Sequence, residues 1–192
     1  MVGTDQTVVE TTLCAGRFRC PNCEQALRPW GFGVTREVRG RVGSERRQFR
    51  RSICRPCKKT HVLVPEDTLV RRRDSAEVIG TALTRAAQGA SHRLIAIELD
   101  RQDSTVWDWL CRFRLMAVRI REFFTRWAHV LDPGRPAPAP TGSDCSDALD
   151  AIGVLAQMAV RRFGPRPPWH MASALTRGLL LCNTSPNWVQ PV

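Results

Sequence analysis

The sequence Cys-Pro-Asn-Cys at positions 20–23 and the sequence Cys-Arg-Pro-Cys at positions 54–57 decide how the first part of this chain folds. Each places two thiolates two residues apart, which suits one face of a tetrahedral metal ion bound about 2.3 Å from sulfur. The gap between the pairs is 30 residues, longer than the roughly 15–20 residues usual in such sites, and a long β-hairpin would fill it. The spacing therefore predicts a closed structural Zn2+ site in a zinc ribbon. Its expected ligands are Cys20, Cys23, Cys54 and Cys57.

Other uses of these cysteines stay open at this stage. Disulfides need an oxidising compartment, and the segment before Cys20 lacks the charged start and apolar run of a signal peptide. A redox motif uses a single Cys-x-x-Cys, and iron–sulfur proteins usually space their cysteines more closely. His61 follows the second pair and is a possible substitute ligand, although a histidine outside the metal shell is the simpler expectation.

Charge is distributed unevenly along the 192 residues, whose formal net charge is +11. The segment from Arg17 to Lys59 holds 13 basic and three acidic side chains, whereas Asp74 to Leu131 holds eight and seven. Arginine supplies almost all of the positive charge, and its planar fork matches phosphate and guanine. A GC-rich coding sequence also raises arginine content, without any such role. No apolar run reaches about 18 residues, so we expect no membrane partner and, by default, a cytoplasmic location.

The stretch between the cysteine pairs predicts a β-hairpin. Residues 31–39 alternate as a strand does, residues 40–44 supply turn residues, and residues 46–53 return. A closing strand is expected at 61–65, and Trp30 is expected to pack against the metal site. The segment 7–13, rich in Thr and Val, favours a further strand or a simple lead-in.

Three short helices are predicted next, with the spacing of a helix-turn-helix. Asp74 is expected to cap the first, which Gly89 ends. Ser91 caps the second, and a turn at residues 100–103 leads to a third that begins at Ser104. The hydroxyls and free N–H groups at that start suit a DNA phosphate.

This order of parts resembles a family of bacterial proteins that pair a zinc ribbon with a helix-turn-helix and are similar to the N-terminal DNA-binding regions of insertion-sequence transposases. The resemblance covers residues 8–113 and rests on the two cysteine motifs, Arg-Arg-Arg-Asp-Ser-Ala-Glu at 71–77 and Ser-Thr-Val-Trp-Asp-Trp-Leu at 104–110. It implies that the four cysteines bind the metal and that residues 104–112 form the recognition helix.

The remaining chain predicts helices and one linker. Residues 112–131 form a long amphipathic helix, with Leu115, Met116, Val118 and Phe123 on its apolar stripe. The Pro-rich stretch 132–143 cannot continue it. Helices are expected at 147–163 and 169–182, packed on the long helix or on a second copy. The fold class is therefore mainly α with a small β zinc ribbon. The expected domains are 1–66 (ribbon), 67–131 (helix-turn-helix with long helix), 132–146 (linker) and 147–192 (C-terminal helices).

The sequence predicts a DNA-binding protein rather than an enzyme, because carboxylates that converge on a catalytic metal, nucleophilic triads and phosphate loops are not recognisable. The expected role is that of a transcriptional regulator or a mobile-element accessory factor on double-stranded DNA, and a protein partner or self-association through the C-terminal helices is possible. The alternative is an adaptor that binds RNA or protein. The predicted DNA-binding residues are Arg36, Arg39, Arg41, Arg46, Arg47, Arg50, Arg51, Arg71, Arg72, Arg73, Arg93, Arg101, Ser104, Thr105, Trp107, Asp108 and Arg112.

Overall fold

A computed structural model of the protein describes residues 1–134, 136, 138–182 and 188. These residues form six α-helices and three strands, so the protein is mixed in class, with more helix than sheet. The helices are α1 (Gln6–Cys14), α2 (Ala76–Ala87), α3 (His92–Leu99), α4 (Asp103–Leu131), α5 (Asp144–Phe163) and α6 (Pro168–Leu175). The strands are β1 (Arg28–Arg39), β2 (Ser44–Ile53) and β3 (Thr60–Val62), in one antiparallel sheet of order β1-β2-β3.

The predicted hairpin is confirmed, and it occupies the chain between the two cysteine pairs. Strands β1 and β2 pair in a register that sets Arg36 opposite Arg47. The Gly40 N–H donates to the Gly43 carbonyl at 2.8 Å, and Gly43 adopts a φ of +103° that suits glycine. The 30 residues between the cysteine pairs thus contain this hairpin. Strand β3 is the predicted closing strand.

The prediction of a strand near residue 7 is wrong, because this segment is helix α1. The Asp5 carboxylate accepts hydrogen bonds from the N–H groups of Thr7 and Val8 and so caps the helix. Val9 and Leu13, four residues apart on one face, are buried against the cysteines. Burial of this face outweighs the β propensity of its Val and Thr residues.

Helices α2, α3 and α4 share one core, as three packed helices were predicted to do. Their buried side chains are Ile79, Leu83, Ile95, Ala96, Val106, Trp109 and Phe113. Ser75 rather than Asp74 caps α2, since its hydroxyl accepts from the Val78 N–H. Between α3 and α4, Asp100 is left-handed with a φ of 53°, and Arg101 N–H donates to the Ala96 carbonyl at 2.9 Å.

The predicted recognition helix and the long helix are one continuous helix, α4, of 29 residues. No proline or glycine lies between its two predicted halves, so nothing ends the first half. Its buried stripe runs through Phe113, Ala117 and Ile120. The predicted stripe is wrong in part, because Leu115 is 83% exposed and Val118 is 50% exposed.

The C-terminal helices pack back on the same chain. Arg121, in the middle of α4, pairs with Asp147 near the start of α5 at 3.1 Å, and residues 125–130 of α4 face residues 151–158 of α5 across a shared cavity. The two helices therefore run in the same direction, and the Pro-rich segment carries the chain back between them. Helix α6 ends at Leu175, shorter than predicted, and most of the predicted tail lies outside the described residues.

The ribbon and the helices meet at Asp74, which is 3% exposed. Its carboxylate accepts from Arg39 of β1 at 2.7 Å and from Arg101 of the α3–α4 turn at 2.5 Å. The Ser75 N–H also donates to the Arg39 carbonyl at 3.0 Å. Among the described helices, none has both the length and the apolar character needed to cross a bilayer.

Candidate metal centre and basic surface

The four predicted ligands converge at one point. Their sulfur atoms all lie within 4.8 Å of one another, with Cys20 Sγ 3.7 Å from Cys57 Sγ and Cys23 Sγ 3.4 Å from Cys54 Sγ. Sulfurs bound tetrahedrally at about 2.3 Å from one ion stand about 3.8 Å apart. The cluster can therefore hold a single metal ion, whereas a multi-iron cluster would spread its cysteines over separate iron atoms.

Each cysteine pair is shaped by the same turn. The residue after the second cysteine has a left-handed backbone in both, with a φ of 57° at Glu24 and 56° at Lys58. The N–H of Cys20 donates to the Gln25 carbonyl at 2.8 Å, and the N–H of Cys54 donates to the Lys59 carbonyl at 2.9 Å. These turns direct both sulfurs of a pair to one side.

Side chains around the cysteines close the site. Cys20 and Cys54 are buried under Leu13, Leu27 and Phe18, and the Lys59 ammonium donates to the Asn22 amide oxygen at 2.7 Å across the two pairs. The prediction that Trp30 packs here is wrong, because Trp30 is 52% exposed and Phe18 supplies the aromatic ring. All four ligand positions are thus held by the protein, which is typical of a structural rather than a catalytic metal site.

Two of the thiols, those of Cys20 and Cys54, have shifted pKa values. Burial opposes ionisation of Cys20, but N–H groups of Asn22 and Cys23 and the neighbouring thiols donate to its sulfur and lower its pKa to about 6. The Cys57 N–H favours the Cys54 thiolate, yet burial and the hydrogen bonds that Cys54 donates to its neighbours raise its pKa to about 12. The thiols thus share protons, which a divalent ion would displace on binding.

His61 lies beside the site rather than in place of a cysteine. Its Nε2 is 3.5 Å from Cys20 Sγ, within hydrogen-bonding distance. Four sulfurs can supply all the ligands of a tetrahedral ion, so His61 is not needed as a ligand and contacts Cys20 from outside the set. Second-layer contacts of this kind orient ligands in metal sites.

The structure divides the predicted DNA-binding arginines into two groups. One group is held by carboxylates within the protein: Arg39 by Asp74, Arg47 by Asp67 and Glu45, Arg50 by Glu10, Arg72 and Arg112 by Asp108, and Arg101 by Asp74. The other group has no carboxylate partner in the part of the chain that the structure describes. It comprises Arg36, Arg41, Arg46, Arg51, Arg71, Arg73 and Arg93, most of them exposed or half-buried at the surface.

The start of α4 carries the predicted base-reading residues. Ser104 and Trp107 are exposed and Thr105 is half-buried. Asp108 accepts from Arg112 at 2.7 Å and from Arg72 at 3.0 Å, and these donors hold the pKa of its carboxyl below its usual range. Asp103 at the first position of α4 accepts from the Ser104 N–H at 2.7 Å and so occupies part of the helix end.

Sequence reasoning missed both the internal ion pairs and several exposed cations. Glu10 and Arg50 are 40 residues apart and form a pair with distances of 2.5 and 2.9 Å, and no local pattern signals such a contact. Further basic side chains lie at the surface around the cysteine turns and were not predicted to bind DNA. They are Arg17, Arg19, Arg28, Arg55, Lys58 and Lys59.

No protein-family model, characterised protein or solved structure matches this chain. The resemblance to the ribbon and helix-turn-helix family therefore stays a prediction, and the function has to be inferred from the geometry of the described residues.

Proposed function

We propose that this protein binds duplex DNA through the arginine surface of a ribbon held by Zn2+, and that it acts as a non-catalytic regulator or mobile-element accessory factor. The observation that carries the proposal is the set of surface arginines without carboxylate partners, within the described residues, on and beside the hairpin. Among them are Arg36, Arg41, Arg46, Arg71 and Arg73. A positive charge that the protein does not neutralise is available to phosphate oxygens.

The metal has a mechanical role in this proposal. The ribbon has a small apolar core, and its cysteines form part of that core. Small modules of this kind depend on a metal to fold. The ion would hold the hairpin rigid, so that its arginines keep a fixed spacing on the DNA backbone.

The helical part would orient the protein on the duplex. In the proposal, α3 and α4 act as a helix-turn-helix, and Ser104, Thr105 and Trp107 face the major groove. Asp108 and Arg112 bond to each other and stabilise α4 rather than read bases. Asp103 places a negative charge at the N-terminal end of α4, where a DNA phosphate would lie. We therefore assign most of the affinity to the ribbon.

The salt dependence of duplex binding tests this proposal. If about six phosphates are neutralised, the logarithm of the binding constant should fall with the logarithm of salt concentration with a slope of about −5. The measurement is fluorescence anisotropy of a labelled duplex in increasing salt. A slope near zero would refute the proposal.

A matched pair of variants locates the binding surface. The change Arg41→Gln with Arg46→Gln should weaken duplex binding and make the slope less negative by about 2, one for each lost phosphate contact. The control, Arg161→Gln with Arg162→Gln, removes equal charge from the exposed end of α5. Equal losses in both would show that total charge rather than the ribbon binds DNA.

A second candidate function is favoured by exposed aromatic rings on the ribbon. Trp30 is 52% exposed and Phe32 is 46% exposed on β1, among arginines. Unpaired bases stack on such rings, which makes RNA or single-stranded DNA a reasonable ligand. Trp30→Ala should weaken single-strand binding and leave duplex binding unchanged if this candidate is correct.

A further inference from the structure

A cavity of about 380 Å³ opens between strand β1 and the segment 71–73 that leads into α2. Four arginines line it, namely Arg36, Arg71, Arg72 and Arg73, against one acidic residue, Glu37. We call this cavity the arginine cleft. Phe49 lines it as well and is 8% exposed.

One wall of the arginine cleft is fixed by contacts on both sides. The Arg72 guanidinium donates to Asp108 and to the Leu181 carbonyl, each at 3.0 Å. The Arg73 carbonyl accepts from the Arg39 N–H of β1 at 2.8 Å. Arg72 therefore acts as an anchor, and the position of its neighbours relative to β1 is set before any ligand arrives.

The other three arginines keep their charge available. Arg36, Arg71 and Arg73 have no carboxylate partner in the described part of the chain. The Arg36 guanidinium lies over the Phe49 ring, 5.8 Å from its centre, a cation–π contact that holds it near the cleft. Arg71 has a left-handed backbone with a φ of 62°. Left-handed backbone of this kind is strained for a residue other than glycine and is common at binding sites.

We propose that the arginine cleft is a specific phosphate-binding site. Three guanidinium groups without a carboxylate partner among the described residues line the cleft together with one carboxylate, so a ligand with more than one negative charge is needed to balance them. Planar guanidinium forks bind phosphate oxygens in pairs. The phosphate belongs either to a nucleic-acid backbone, in which case the inference rests on the proposed function, or to a free phosphorylated ligand.

Inorganic pyrophosphate is the probe, measured by isothermal titration calorimetry at constant ionic strength. The variant Arg36→Gln with Arg73→Gln should lower its affinity by about tenfold or more, since two charged hydrogen-bond donors to the phosphate oxygens are lost. The control, Arg161→Gln with Arg162→Gln, removes the same charge from the exposed end of α5, outside the cleft, and should retain wild-type affinity. Equal losses in the two variants, or no binding by the wild type, would overturn the proposal.

Arg71→Gly separates binding from folding. Glycine accepts the left-handed backbone without strain, so the melting temperature should stay level or rise while pyrophosphate affinity falls. A purely structural Arg71 would give unchanged affinity, which would remove Arg71 from the site and overturn the three-arginine arrangement.

A duplex titration in parallel distinguishes this inference from the proposed function. Pyrophosphate binding in the arginine cleft with no duplex binding would support a site for a free phosphorylated ligand and refute the DNA proposal. Strong duplex binding with no pyrophosphate binding would support the DNA proposal and refute the phosphate site in the arginine cleft. Loss of both in Arg36→Gln with Arg73→Gln would identify the DNA backbone as the source of the phosphate.

Discussion

Gly80 lies inside α2, where a glycine normally weakens a helix, and Trp169 explains its presence. A β-carbon at this position would overlap the indole ring of Trp169. The missing side chain thus lets the start of α6 pack directly on α2. The sequence shows a glycine within a helical pattern but not the ring that needs it, because the two residues are far apart in the chain.

Gly80→Ala should destabilise the protein by about 1–3 kcal/mol, since an extra methyl group in a packed site forces side chains apart. Urea unfolding followed by circular dichroism measures the change. Gly153→Ala in α5 is the matched control, because no atom lies within 4 Å of a β-carbon there. It should stabilise by up to about 1 kcal/mol through helix propensity. A stabilising Gly80→Ala would show that Trp169 does not pack there.

At the metal centre, the sequence predicts the ligands but not the side chains that pack around them. The spacing of Cys20, Cys23, Cys54 and Cys57 was sufficient to predict that the four sulfurs come together, because a short turn fixes the geometry of each pair. The rings near the site were not predictable in this way. Phe18 packs on the cysteines and Trp30 is exposed, and no local sequence pattern distinguishes the two rings.

The helices were predicted best where neighbouring residues in the sequence cap or end them. Ser91 and the turn at 100–103 set α3 as predicted. Two errors arose where tertiary packing decides. Segment 6–14 forms a helix because one face covers the metal site, and α4 buries the stripe through Phe113 and Ile120 instead of the one through Leu115.

The junction of ribbon and helices rests on Asp74, and it yields a second prediction. Asp74→Asn leaves Arg101, whose side chain is 8% exposed, without its charge partner. Breaking a buried pair on one side costs about 3–5 kcal/mol, and the part-exposed Arg39 pair adds less. Thermal and urea unfolding measure the loss. Glu98→Gln, which breaks the exposed Arg85–Glu98 pair, should change the stability little, because solvent screens that pair. Similar losses of stability in both variants would mean that the Asp74 ion pairs do not hold the ribbon to the helices.

Across the whole molecule, two cores of different strength lie side by side. The helical core gathers large side chains from α2 to α6, among them Trp109, Phe124 and Ile152. The ribbon core holds a few aliphatic residues around Cys20 and Cys54. The helical core buries more apolar surface than the ribbon core, so we expect the ribbon to depend more on a bound metal for its stability.

Removal of the metal should thus unfold one part and spare the other. A strong chelator, or Cys54→Ser, should abolish the sheet signal and the protection of β1 and β2 amides from hydrogen exchange, while amides of α4 and α5 stay protected. Duplex binding should fall to a weak level, since the arginines would lose their fixed spacing. Cys111→Ser, on α4 away from the site, is the control and should keep full metal content. Protected β1 amides in chelated protein would show that the ribbon folds without the ion, and the arginine surface would then have to be explained by the Asp74 junction alone.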